Sequence, residues 1–383
     1  SLWCVYSYMA LPRYCKNPAC EAYFHPPAHW LCGDGSYETA AHGTVRRFRC
    51  RLCGARLSTQ SESMHYYAKR HLDLKDILSR VRGGASLRDI GRTVGCSRTA
   101  VANAVVRLGR QAIACHCALM QSLPGLSSLV FDGLVSAVGS RDYPCQINTL
   151  VDATTEMVLT MTHCVTERGG RRTAAQSRRI EAKRRVWAPR RRALYDAIAL
   201  LVRELPQLAG RLPITIAMDM NPVYMAVIAR DLAMRWYAGH RMLLIRRTAG
   251  TAARTVANRL FAVNYVDRMI RHRMKEHTRE SIALGRNATM QMYRMWIFAW
   301  DHNTGQPHRV KPVHDECRAL KAGADPVLLK RLGRHFYTRR QSLRRVVVPE
   351  SMRQVWLAQL DTPPVRWKVG QRSTGPGVPG YAR

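Results

Sequence analysis

Two close cysteine pairs, Cys15-Lys-Asn-Pro-Ala-Cys20 and Cys50-Arg-Leu-Cys53, constrain this chain more than any other feature. They lie 29 residues apart, and each pair can offer two thiolates to one tetrahedral ion. Residues 13–60 are rich in Cys, Gly, His and aromatics with little helical period, which suits a module too small to build its own core and stapled by a metal instead. The expected ligands are Cys15, Cys20, Cys50 and Cys53 around a structural zinc. The long gap between the pairs leaves His25, His29 or Cys32 as replacement ligands. A four-thiolate shell keeps no open position for substrate, so folding and not catalysis is its expected role. Arg46, Arg47, Arg49, Arg51 and Arg56 surround the second pair and make the module a phosphate-contacting surface.

The next stretch, Tyr66 to Met120, has apolar residues at helical spacing: Leu72, Ile77, Leu78 and Val81, then Leu87, Ile90 and Val94. Ser86 and Ser97 stand where N-caps are wanted, with Gly95 between the two helices they would start. Leu87, Ile90, Val94, Val101 and Val105 would pack the pair as a helix-turn-helix of two short helices. The second helix would expose Arg98, Thr99, Asn103 and Arg107 to a major groove, where arginine reads guanine and asparagine reads adenine. An ordinary helical hairpin with a polar face would look the same. The charge decides between them: lysine plus arginine outnumber aspartate plus glutamate 61 to 26, and the resulting +35 calls for a polyanion. No run of 18 apolar residues and no signal segment is present, so a membrane is not the expected partner. Twelve cysteines, several isolated in apolar runs, are expected to be reduced, and the expected location is cytoplasmic, on the nucleoid.

Beyond Leu126 the pattern turns to strands, at Ser128–Phe131, Gln146–Val151 and Met157–Met161, with residues 152–156 as a hairpin turn. Residues 169–192 are basic with almost no apolar content, which indicates a solvated or DNA-contacting insertion, mobile without DNA, and not a core element. Helices and strands then alternate: a helix at 194–205, a strand at 213–218, a helix at 223–236, a strand at 242–245 and helices from Tyr265 onward. The Pro- and Gly-rich end, from Thr362, is expected to be a flexible tail. The fold class is therefore α/β. Its parts are a zinc ribbon (1–62), a helix-turn-helix segment (63–122), a mixed-sheet core (123–310) and a C-terminal helical extension with tail (311–383).

Acidic residues are scarce, so those at the ends of apolar strands stand out: Asp132 after Leu129-Val-Phe131, and Asp219 after Ile214-Thr-Ile-Ala-Met218. Carboxylates converging from neighbouring strands can hold the two divalent ions of phosphodiester chemistry. Asp152 also follows a strand but opens the hairpin turn, where aspartate bonds its own backbone.

The chain resembles the zinc-ribbon group of bacterial insertion-sequence transposases. The likeness rests on Cys-Lys-Asn-Pro-Ala-Cys at 15–20, Arg49-Cys-Arg-Leu-Cys-Gly54, Phe131-Asp132-Gly133, Asp219, Asn264-Tyr-Val-Asp267, Asp301-His-Asn303 and Pro307-His-Arg309. It implies a ribonuclease-H-like core with an acidic triad, magnesium- or manganese-dependent cleavage at transposon ends, and joining of the freed 3′-hydroxyl to target DNA. It also implies double-stranded DNA as partner and a homo-oligomer on that DNA. Other readings are a binding-only regulator, such as a domesticated transposase, and a nuclease without strand transfer. The family commonly has Asn-x-x-Glu where this chain has Asp267, so the expected triad is Asp132, Asp219 and Asp267. Glu276 and Glu280, 9 and 13 residues further on, are the alternatives for the third acid, with Glu280 the runner-up. In one continuous helix that is a rotation of about 180° and about 220°, off the face of Asp267, with Glu280 roughly 20 Å along the axis.

Overall fold

The structure is a computed structural model that describes residues 11–281, 283–309 and 315–364. The expected tail from residue 365 onward lies outside the described residues. Near the start, β1 (Leu31–Thr39), β2 (Gly43–Cys50) and β3 (Arg56–Ser58) form a small antiparallel sheet in that order. Three helices follow, α1 (Leu74–Arg82), α2 (Leu87–Val94) and α3 (Arg98–Met120). Each starts on a cap that satisfies otherwise orphaned backbone amides. Asp73 accepts from Lys75 and Asp76, Ser86 from Asp89, and Ser97 from Ala100. Gly95 ends α2 in the left-handed region, at φ 68°, and Gly91 lets the α2–α3 turn close, since a Cβ there would sit 2.7 Å from the Cys96 carbonyl oxygen.

The helix-turn-helix pair expected from the caps is present in outline, but its second helix is not short. α3 runs 23 residues, about 35 Å, and from Leu108 to Leu119 it is buried in the core. The reason is its composition: beyond Arg107 the helix is mostly small and apolar residues, which continue the burial instead of ending it.

The core sheet comprises β4 (Leu126–Val138), β5 (Ser140–Asp152), β6 (Val158–Val165), β7 (Gly210–Asp219) and β8 (Leu243–Thr248), ordered β6-β5-β4-β7-β8. β4, β5 and β6 are antiparallel neighbours, while β7 runs parallel to β4 and β8 parallel to β7. β4 and β5 are longer than the apolar runs suggest because Gly139, at φ 69°, turns them tightly and their pairing continues almost to that turn. Between β6 and β7 lie α4 (Ala174–Val186) and α5 (Ala193–Ala209); after β7 come α6 (Pro222–Arg230) and α7 (Leu232–Gly239). One helix had been expected over 223–236. Asp231 breaks it in extended backbone and caps α7 through the Met234 amide.

The remaining helices are α8 (Phe261–Arg273), α9 (Ala288–Trp300), α10 (Arg318–Lys321), α11 (Pro326–His335) and α12 (Glu350–Trp356), with a π-helical turn at Asp301–Gly305. The Met and Trp residues of α9 are core packing: Met292, Met295 and Trp296 are fully buried. The C-terminal helices belong to the same core, with α12 against β6, α3 and α5. Asp301-His-Asn303 and Pro307-His-Arg309 clasp the β5–β6 hairpin. Asn303 bonds both backbone groups of Val158, at 2.9 and 2.8 Å, and His302 bonds the Glu156 carbonyl. Glu156, in the left-handed region at φ 60°, is buried and held by Arg309 at 2.9 Å and by Arg318 at 3.5 Å. The ribbon is tied down by the far end of the chain, where Arg344 and Arg345 donate to the carbonyls of Tyr23 and Phe24 and Arg340 donates to Glu62 and Ser61. No helix among the described residues is long and apolar enough to cross a membrane.

α3 and α9 cross at Gly109, where a Cβ would lie 2.5 Å from the Cβ of Tyr293. Next to it, Arg110 donates to the Tyr293 hydroxyl and to the Trp356 carbonyl, joining α3, α9 and α12 at one point. Gly109→Ala is expected to lower stability by about 1–3 kcal/mol, the usual range for overpacking. A urea midpoint unchanged from wild type would show that the crossing is looser than described.

Candidate functional site

The thiolate centre is built by two tight turns. In the first, the Cys15 amide bonds the Ala22 carbonyl and the Cys20 amide bonds that of Asn17; in the second, the Cys50 amide bonds the Ala55 carbonyl and the Gly54 amide bonds that of Cys50. They bring the four sulfurs within 4.8 Å of one another, with Cys15–Cys53 at 3.5 Å and Cys20–Cys50 at 3.7 Å. A tetrahedron with metal–sulfur bonds of about 2.3 Å separates its sulfurs by about 3.8 Å, so this cluster can hold a metal ion such as zinc. Burial pushes the Cys15 thiol up to about 12, whereas the Ala55 amide draws Cys53 down to about 7. Three buried sulfurs can share negative charge only if a cation compensates them. His25 and His29 are exposed, and Cys32 donates to the Arg49 carbonyl, so none of the three joins the cluster.

Arg98, Thr99 and Asn103 are exposed on the first turns of α3. Arg107 is not presented with them. It is half-buried and turned back to donate to the Met64 carbonyl at 3.0 Å.

Asp219 is the last residue of β7, as expected, but Asp132 is in the middle of β4. The correction follows from the pairing: Leu134–Val138 continues the strand against β5. Val130 pairs with Ala217 at the end of the parallel β4–β7 ladder, and Asp132 and Asp219 each follow two residues on, near enough for Asp219 to push the Asp132 carboxyl up. Residues two apart on a strand share a face, so each acid lies on the face of its ladder partner. Asp267 approaches from α8, whose residues Asn264, Asp267, Arg268 and Arg271, spaced as one helical face, line a cleft of about 1020 Å³ together with Asp132.

Burial raises the Asp132 carboxyl to about 6, with Asp219 adding to the rise, and burial together with Asp132 raises Asp267 to about 8. One oxygen of Asp267, Oδ1, is buried without any hydrogen-bond partner. Asp219 is partly engaged, accepting from the Asn221 amide at 2.8 Å, and is not among the residues lining the cleft. The three carboxylates do not reach the mutual 4.8 Å that the cysteine sulfurs do. Gly133 is required beside Asp132: a Cβ would lie 1.8 Å from the Gln146 amide nitrogen, which bonds Asn148 and the Tyr224 hydroxyl. Tyr224 is itself pushed upward by burial and by Asp132 and Asp219, so its buried phenol backs the acids.

Six arginines, at 141, 168, 254, 268, 271 and 279, line the same cleft against four acids, at 132, 167, 267 and 276. Sequence reasoning missed Arg254 and Arg271, which lower the Asp267 carboxyl against its burial; the helical spacing from Asp267 to Arg271 was the available signal. The premise that Glu276 and Glu280 continue the Asp267 helix is also corrected. α8 ends at Arg273, and Glu276 sits in a 3-10 turn at Lys275–His277, pinned to β4 by Ser136, whose hydroxyl lies 2.9 Å from His277 Nδ1. Glu276 is buried, lines the cleft and faces Arg294 at 3.3 Å, while Glu280 is exposed. No protein family matches this chain, and no curated protein matches it.

Two measurements follow. Changing Cys15, Cys20, Cys50 or Cys53 to serine is expected to release bound metal and loosen the ribbon, whereas Cys32→Ser retains both; full metal content in all four variants would remove the assignment. The second uses the raised acids. A native carboxyl at about 8 binds protons more tightly than the unfolded one near 3.8, so stability declines as pH rises through that window. Asp267→Asn is therefore expected to melt higher than wild type at pH 8, with the difference vanishing below about pH 4. A lower melting point at pH 8 would contradict the burial described.

Proposed function

We propose that this chain cuts and joins DNA as a metal-dependent transposase of the zinc-ribbon kind, with a ribonuclease-H-like core. The observation that carries the reading is the cleft: Asp132 and Asp267 meet there, raised by burial, one oxygen of Asp267 has no partner, and six arginines surround them. Carboxylates in a low-dielectric pocket stay ionised only with cations beside them, and an arginine-lined cleft suits a polyanion. The mixed sheet, with three antiparallel strands followed by two parallel ones, is compatible with that core. Strand transfer, as opposed to hydrolysis, rests on the sequence resemblance.

In this reading Asp132, Asp219 and Asp267 hold two magnesium or manganese ions. When bound, such ions activate the attacking oxygen and stabilise the leaving one. Arg254 and Arg271, close enough to bias the Asp267 carboxyl, hold the scissile phosphate and offset its charge. Zinc at the four cysteines keeps the ribbon folded, and the exposed start of α3 presents Arg98, Thr99 and Asn103 to the major groove. The Gln146–Tyr224 pair, admitted by Gly133, keeps Asp132 and Asp219 on a rigid floor.

Changing Asp132, Asp219 or Asp267 to asparagine is expected to lower cleavage by about a hundredfold or more while duplex binding persists. Glu280→Gln retains activity. The assay scores nicking of a labelled duplex carrying the element's end, and its joining to a second DNA, with magnesium or manganese. Tight binding by wild-type protein without a nick in either metal would leave a regulator instead of an enzyme.

A further inference from the structure

The basic stretch expected to be a mobile insertion is an ordered helix with a specific anchor. α4 begins on a capping box, in which Thr173 and Gln176 bond each other's backbone amides, and places Lys183, Arg184 and Arg185 in its last turn, where cations suit the helix dipole. It carries five cations against the single acid Glu181, and Ile180 is its only buried residue. A helix so polar on every side gains little from burial, and its charges repel one another.

What fixes it is Asp142 on β5. This carboxylate is 6% exposed and receives Lys183 at 2.6 Å, Arg179 at 2.8 Å and Arg168 at 3.0 Å. Burial opposes its ionisation, but hydrogen bonds from Arg179 and Lys183 outweigh burial and hold it well below the usual carboxylate range. Lys183 also sits 5.4 Å over the Tyr143 ring, and Trp187 meets the same ring edge-on. With that side committed inward, Arg178 and Arg185, seven residues apart on one face, are exposed, as are Arg171 and Arg172 ahead of the helix. The chain reaches α4 from residues 166–169, which line the cleft that holds Asp132 and Asp267.

We propose that the outward face of α4, with Arg171 and Arg172, is a phosphate-binding surface for the duplex that flanks the cleft, and that Asp142 is its positioning residue. The inference rests on the reading of the cleft as a DNA site. α4 is about 20 Å long, enough to follow the backbone across about six base pairs. Because the cations act on phosphate and not on bases, the contact is independent of sequence.

The test is binding of a labelled duplex of arbitrary sequence across a salt series, without divalent metal, so that chemistry plays no part. The double variant Arg178→Ala, Arg185→Ala is expected to weaken binding about tenfold and to reduce the log–log salt slope by about 2. Asp142→Asn adds positive charge, yet is expected to weaken binding several-fold by releasing the helix, with Asp142→Glu restoring it. Wild-type protein that fails to bind the duplex sinks the reading of the cleft. Wild-type binding that the double variant leaves unchanged overturns the α4 surface alone. Equal or tighter binding by Asp142→Asn overturns its positioning role. Anionic lipid vesicles serve as the second probe; capture by them that matches the duplex and is lost in the double variant would overturn DNA as the occupant.

Discussion

The close approach of α3 and α9 at Gly109 is the contact on which the rest of the molecule depends. Only a residue without a Cβ allows Tyr293 to lie against the α3 backbone, and that allows Arg110 to reach both the Tyr293 hydroxyl and the Trp356 carbonyl. Three helices from distant parts of the sequence thereby share one junction. α3 then extends from that junction to its exposed first turn, so the surface it presents is rigidly referred to the sheet. A helix–turn–helix with its own short second helix would have left that relation to a linker.

Charge is managed in the same economical way. The chain has few acids, and it places several where one carboxylate serves more than one cation: Asp142 for α4, Glu156 for Arg309 and Arg318, and Asp301 for Arg82 and Arg273. Each of these groups is buried, and each would be costly without its partners. Asp267 differs from these: its buried Oδ1 has no hydrogen-bond partner, and no ion pair among the described residues holds it.

Much of this was legible in the sequence where the determinant is local. The cysteine pairs, the Ser86 and Ser97 caps and the strand-ending Asp219 depend on neighbours within a few residues, and the structure shows each in that form. Where the determinant is distant, the reading failed. No Gly or Pro marks the end of α8 at Arg273; the break is held by Ser136 on β4, far away in the chain. Asp132 seemed to close a strand because the pairing that prolongs β4 comes from β5. Arg107 projects outward on an ideal helix, but the Met64 carbonyl captures it. α4 is a different case. Its capping box, Thr173-Ala-Ala-Gln176, was in plain view and was outweighed by the run of arginines around it.

The bond between Arg344 and Tyr23 spans 321 residues. On a ribosome adding roughly 5–20 residues each second, the ribbon emerges roughly 16–64 s before the segment that will clasp it. During that interval the ribbon has no large apolar core to rely on. A metal at the four cysteines would give it autonomy, because a metal-closed module can fold as soon as Cys53 clears the exit tunnel. The order of the parts along the chain thus becomes an order in time: a metal at the four cysteines would keep the ribbon intact until the later-made arginines lock it in place.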